Sequence, residues 1–257
     1  MSALSTGPTP YPEVNAVLAR LLAAARSALG GQFVGLYLYG SLAGGDFDPQ
    51  TSDVDFVVLA AAAPSAETIA ALERLHADLR DSGLRWAGKL EGTYVSAPAL
   101  RRYEAGATPW PTVNEGRFYL APHGPDWVIQ RHILREHGVA VAGPPLAPLI
   151  DPVGPDDLRG AVVGLLRSWW ARMLADPTRL RSSDYQAYAV LSMCRALHTL
   201  RHGTIASKPA AARWAQGEHP AQADLIEEAL DWRPGDDLDR FGAVIDFIRF
   251  TLTSSGL

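Results

Sequence analysis

Two carboxylates one residue apart, Asp53 and Asp55, follow a Gly40-Ser41 pair, with residues 42–52 between them. Gly40-Ser41 ends an apolar run, Phe33 to Tyr39, that reads as a buried β-strand. Asp53-Val54-Asp55 opens a second strand, Val54 to Ala60. Side chains two residues apart on a strand project from one face, so Asp53 and Asp55 are expected side by side. Two adjacent carboxylates repel unless a cation lies between them. Mg²⁺ suits that position because it takes oxygen ligands and keeps a nucleotide's phosphates in its shell. Gly40 permits close approach of backbone to phosphate, and Ser41 supplies a hydroxyl donor. The chemistry these residue types point to is the holding of a magnesium-bound nucleoside triphosphate.

A third carboxylate, Glu91, lies in Gly88-Lys89-Leu90-Glu91-Gly92-Thr93-Tyr94, on a third strand read as Lys89 to Ser96, where Lys89 and Glu91 share a face. Glu91 can complete the metal site, or it can take a proton from an attacking hydroxyl. Either role serves nucleotidyl transfer, where two metal ions, or one metal and a base, stabilise an in-line displacement.

These side chains need elements to hold them. Pro12 to Leu29 has helical apolar spacing (Val14, Val17, Leu18, Leu21, Leu22, Ala25) and ends at Gly30-Gly31. Gly40 to Ser52 reads as loop, and Ala66 to Ser82 as a helix with Ile69, Leu72, Leu75 and Leu79 on one face. A short helix is expected over Ala97 to Glu104, a longer one over Trp127 to His137, and a strand over Val139 to Ala142. Gly106 to Gly124 is turn-rich and carries no clear periodicity. Gly143 to Pro152 is proline-dense and reads as a boundary. Beyond it the pattern is helical only: Asp156 to Leu174, Asp184 to His202, Lys208 to Gln216, Pro220 to Asp231 and Asp236 to Thr253. The expected class is α+β: an N-terminal domain over residues 1–152, with a mixed sheet and flanking helices, and a C-terminal α-helical bundle over 153–257.

Composition narrows the function classes. The net charge of -5 argues against a nucleic-acid partner, which needs a basic face to displace counterions. One cysteine, Cys194, allows neither an internal disulfide nor a thiolate zinc cluster. Met1 to Pro12 lacks the basic and apolar regions of a signal peptide, and no run approaches a membrane span, so a cytoplasmic monomer is expected. Only two of the 23 basic residues are lysines, Lys89 and Lys208. In such an arginine-rich background a lysine is a mild flag for a phosphate contact.

Tyr39-Gly40-Ser41 with Ser52-Asp53-Val54-Asp55 resembles the signature of the DNA polymerase β-like nucleotidyltransferase superfamily. Further blocks narrow the resemblance: Leu90-Glu91; Arg135-Glu136-His137 with Val141-Ala142-Gly143-Pro144; Leu191 to Arg195; and Gly203 to Lys208 with Ala212 to Ala215. In this order they are similar to the aminoglycoside adenylyltransferases that modify streptomycin and spectinomycin. The resemblance implies Mg²⁺, a pair of ions, at Asp53 and Asp55 with Glu91 beside them, and Glu91 as catalytic base. It implies ATP as co-substrate, with Gly40, Ser41, Arg195 and Lys208 on its phosphates and the helical domain closing the cleft. On the acceptor side it points to Asp184 and Tyr185, Tyr185 being in strict register with the family's acidic position. The family's middle-region tryptophan has no counterpart around Asn114 to Arg117.

The activity so implied is transfer of AMP to a hydroxyl of a small polar acceptor, an aminoglycoside or aminocyclitol, with release of pyrophosphate, and hence antibiotic resistance. Two alternatives stay open at this level: transfer to another metabolite or a protein, and a nucleotide-binding regulator without catalysis. Elsewhere the sequence favours structural roles. His198 and His202 stand one turn apart without a zinc motif, Tyr185 and Tyr188 are spaced for packing, and Asp156-Asp157 suits a helix start.

Overall fold

A computed structural model of the chain describes residues 7–106 and 108–256, so the first half of the Met1 to Pro12 segment lies outside the described residues. The chain forms two compact units, one of residues up to Asp48 with Ser52–Pro152, the other of Val153 onward with Pro49–Thr51.

The first unit runs α1 (Pro12–Leu29), β1 (Phe33–Leu38), α2 (Gly40–Gly44), β2 (Val54–Ala60), α3 (Ala66–Arg80), β3 (Leu90–Ser96), α4 (Ala97–Arg101), β4 (Pro109–Asn114), β5 (Arg117–Pro122), α5 (Asp126–His137) and β6 (Val139–Ala142). Its six strands make one mixed sheet in the order β5-β4-β3-β2-β1-β6. β2 and β3 are parallel; the other pairs are antiparallel. The alternation of strand side chains divides the core in two. Leu36, Leu38, Val54, Phe56, Val58, Leu90 and Tyr94 pack with α1 and α3 residues such as Leu18, Leu21 and Leu72. Tyr37, Tyr39, Val57, Leu59 and Val95 pack on the other face with Leu100 of α4 and Trp127 and Leu134 of α5. The period-2 rule puts Asp55 and Glu91 on this second face.

Local chemistry explains where the structure departs from the sequence pattern. The start of the Gly40 to Ser52 loop winds into α2, ended by Gly45 at φ 80°. The turn-rich middle is a β-hairpin: Glu115 and Gly116, at φ 49° and 70°, form a two-residue turn of the kind that matches strand twist. Its prolines Pro109, Pro111 and Pro122 masked the strand pattern.

The second unit comprises α6 (Pro155–Leu165), a π-helical segment (Leu166–Trp170), α7 (Ala171–Ala175), α8 (Ser183–His202), α9 (Lys208–Glu218), α10 (Ala223–Asp231) and α11 (Phe241–Ser254). The single helix expected over Asp156 to Leu174 is therefore interrupted. The helix expected from Asp236 starts at Phe241, because Asp236 Oδ2 instead accepts from the Arg233 backbone N–H at 2.8 Å and holds a turn. α8 is the hub, packed by α6, α9, α10 and α11 and burying Ala187, Val190, Met193, Cys194 and Leu197.

Candidate active site

The site begins with a register. Along the parallel pair β2 and β3, Asp55 is the direct partner of Glu91. The two carboxylates therefore leave neighbouring strands at the same level and on one face. Tyr39 closes the third side: its backbone N–H donates to the Asp55 carbonyl at 3.2 Å, tying the end of β1 to the start of β2.

Gly40 follows at φ 64°, a conformation that favours glycine. A Cβ there would lie 2.0 Å from Asp55 Oδ2. The Gly-Ser turn is thus folded over the carboxylate, and the missing side chain leaves the space that the carboxylate occupies.

Asp53 stands one residue before β2, and its Oδ1 pairs with Lys89 Nζ at 3.2 Å. Lys89 closes a 3₁₀ turn, Ala87–Lys89, immediately before β3, so it sits beside the strand and not within it. Both partners are more than a third exposed, so the ion pair is weak and exchangeable. Asn114 of β4 donates its Nδ2 to Glu91 Oε1 at 3.5 Å, the long limit of such a bond.

Tyr39 is 7% exposed. Burial, and then the charges of Asp55, Glu91 and Asp126, hold its hydroxyl well above the usual tyrosine range. That ordering brings in a carboxylate that sequence reasoning did not single out, Asp126 at the start of α5. Burial also raises its carboxyl. Tyr39 was legible as part of the Gly-Ser motif; Asp126 carried no signal beyond standing at a helix start.

Among the described residues no group of three or more His, Cys, Asp and Glu side chains forms a ready metal cage. The donors still fit Mg²⁺. Asp53 and Asp55 are hard oxygen ligands, Asp53 is held only by an exposed lysine, and Mg²⁺ takes one or two carboxylates and completes its shell with water and phosphate oxygens.

In the second unit, Lys208 is the first residue of α9, capped by Ser207, and its Nζ lies 5.5 Å from the centre of the Tyr188 ring on α8. Arg195 stands two turns after Tyr188 on α8. Asp184 and Tyr185 occupy the first turn of α8, where Arg179 lies over the Tyr185 ring at 5.9 Å and Tyr185 packs against Tyr188 at 5.3 Å.

Two family models match the chain. The nucleotidyltransferase domain matches residues 20–87, which include Gly40, Ser41, Asp53 and Asp55. The C-terminal domain of aminoglycoside adenylyltransferases matches residues 148–247, which include Asp184, Arg195 and Lys208. Over these two spans the chain is similar to the aminoglycoside adenylyltransferases.

It is a nucleotidyltransferase. It is 28% identical over 250 residues to an aminoglycoside (3'') (9) adenylyltransferase of Escherichia coli, across 91% of this chain and 90% of the relative. A protein of the same name from Shigella flexneri is 28% identical over 225 residues, covering 82% and 81%. The fold is similar to a crystal structure of spectinomycin adenyltransferase AAD(9) from Enterococcus faecialis with ATP and spectinomycin. That match has a TM-score of 0.73 at 17% identity, and covers 93% of this chain and 98% of that one. Glu91 lies outside both matched spans, so its place in the site rests on its register with Asp55. No helix among the described residues is long and apolar enough to cross a membrane.

Proposed function

We propose that this chain transfers AMP from ATP to a hydroxyl of an aminoglycoside or aminocyclitol and releases pyrophosphate. The observation that carries the reading is the pairing of Asp55 with Glu91 beneath the Gly40 turn. Asp53 and Asp55 would hold Mg²⁺, as a pair of ions when Glu91 also ligates. When bound, Mg²⁺ neutralises charge building up on the phosphates. Gly40 and the Ser41 hydroxyl cradle phosphate oxygens, and Lys89, held to Asp53 only by an exposed ion pair, can turn to the nucleotide. Glu91 accepts the proton of the acceptor hydroxyl as that oxygen attacks the α-phosphorus; the phosphoanhydride bond breaks and pyrophosphate departs with its electron pair. Asn114 steadies the Glu91 carboxylate. Arg195 and Lys208 add positive charge for the triphosphate.

Relatives named for aminoglycosides, and a solved neighbour holding spectinomycin, support this acceptor class. The test is direct: incubate the protein with Mg-ATP and a panel including streptomycin and spectinomycin, and weigh the products. A mass increase of one AMP on a panel member, with matching pyrophosphate release, is expected. No adduct on any member overturns the acceptor assignment.

A further inference from the structure

The register that pairs Asp55 with Glu91 also brings a cation to the site. Val54 partners Leu90 and Asp55 partners Glu91, so one residue earlier Asp53 comes level with Lys89. The 3₁₀ turn Ala87–Lys89 delivers that side chain just before β3, and its Nζ lies 3.2 Å from Asp53 Oδ1. Among the described residues no other ion pair involves Asp53.

The plain reading is a surface ion pair that adds little to stability, since the Lys89 and Asp53 side chains are 51% and 36% exposed. That reading leaves the residue type unexplained. Lys89 is one of only two lysines among 23 basic residues. An arginine holds a carboxylate through two parallel N–H bonds and fixes it in place. An ammonium is a single point charge on a flexible stem, and it exchanges one oxygen partner for another with little loss. In a chain that uses arginine almost everywhere else, a lysine opposite Asp53 suits a cation that has to let go. A phosphate oxygen is a partner of the same chemistry as the carboxylate it leaves.

We propose that Lys89 is a built-in counter-cation that competes with the divalent metal for Asp53 and, once displaced, binds the phosphates that arrive with the metal. This rests on the metal and nucleotide reading given above. Free metal has to displace the ammonium and offers it nothing in return. A metal–nucleotide complex supplies phosphate oxygens as its new partners. Metal and nucleotide are thereby coupled through one side chain, each favouring the other, and the coupling is reciprocal. The site is then loaded by the metal–nucleotide complex in preference to the bare ion.

The test compares wild type with Lys89→Gln, Lys89→Arg and Asp53→Asn, each checked for an unchanged melting temperature. Binding of Mn²⁺ alone is followed by electron paramagnetic resonance, and binding of Mg-ATP by calorimetry. Lys89→Gln is expected to bind Mn²⁺ about three- to fivefold more tightly, the scale of one exposed ion pair, and Mg-ATP more weakly by a similar factor. Lys89→Arg should bind Mn²⁺ more weakly than wild type, because a guanidinium holds Asp53 through two bonds. A long-range effect of charge alone would leave Lys89→Arg like wild type, and that result overturns the proposal. Unchanged Mn²⁺ affinity or unchanged Mg-ATP affinity in Lys89→Gln overturns it as well. Asp53→Asn separates the two levels. If it binds Mn²⁺ as wild type does, the metal reading of Asp53 has failed and the proposal falls with it. If it binds Mn²⁺ more weakly while Lys89→Gln matches wild type, the metal reading stands and the competition by Lys89 alone is overturned.

Discussion

A side chain on Gly40 would begin 2.0 Å from Oδ2 of Asp55, at a backbone φ of 64°. Gly40→Ala therefore meets two penalties at once: about 1–2 kcal/mol of left-handed strain, and displacement of the Asp55 carboxylate. Activity should fall on the order of 100-fold, the usual consequence of a small misplacement at a reacting centre. Steady-state pyrophosphate release measures it, and a loss smaller than about threefold would show that the turn is not folded over the site.

Glu91→Gln preserves shape and removes the proton acceptor. Turnover should drop by about 10²–10⁴, while ATP binding, followed by calorimetry, holds. A parallel collapse of ATP binding would reassign Glu91 to the metal.

Arg195→Ala and Lys208→Ala should act on ATP. Each removes a cation able to make a charge-assisted bond to phosphate, so the ATP KM should rise about tenfold or more in each. Lys208→Ala also strips the Tyr188 ring of its cation, 5.5 Å away, and a melting curve separates that packing effect from the kinetic one.

His76 gives the protein an acid limit. It is 2% exposed, its Nε2 lies 2.8 Å from the Tyr94 hydroxyl, and it stacks between Phe56 and Phe118. Burial lowers its pKa to about 4. The unfolded chain binds this proton below its ordinary value of 6.5 and the folded chain does not until about 4. The contribution of His76 to stability is therefore complete above the unfolded value and is lost as pH falls through that window, at roughly 1.4 kcal/mol per pH unit for a single group. Melting temperatures from pH 7 to pH 4 should decline less steeply in His76→Gln, which keeps a partner for Tyr94. An unchanged slope would place the titration elsewhere, His123 being the next group held at about 4.

Glu115 adopts φ 49° in the hairpin turn before Gly116. Asn tolerates that conformation better, so Glu115→Asn should stabilise by about 0.5–1 kcal/mol without touching activity, read as a higher melting temperature.

Much of this was legible in the chain itself. Asp55 falls within β2 as expected, whereas Asp53 stands one residue before it and pairs with Lys89. The strands of β1, β2 and β3 showed because buried strands are short apolar runs. The hairpin Pro109 to Pro122 did not, since its prolines and its Glu-Gly turn imitate a loop. The π-helical segment inside the helix expected over Asp156 to Leu174 did not either, since it leaves the apolar periodicity almost intact.

The sequence by itself determined which chemistry is possible: Gly-Ser, the Asp pair and Glu91 are local patterns, and a resemblance to nucleotidyltransferases travels with them. Only the tertiary structure decided which side chains share a face across strands far apart in the chain. The register of β2 on β3 sets Asp55 beside Glu91, and the end of β1 ties Tyr39 to Asp55 through its backbone N–H. Strand register and helix packing are settled by burial of non-local apolar surface, and no short stretch of sequence encodes them.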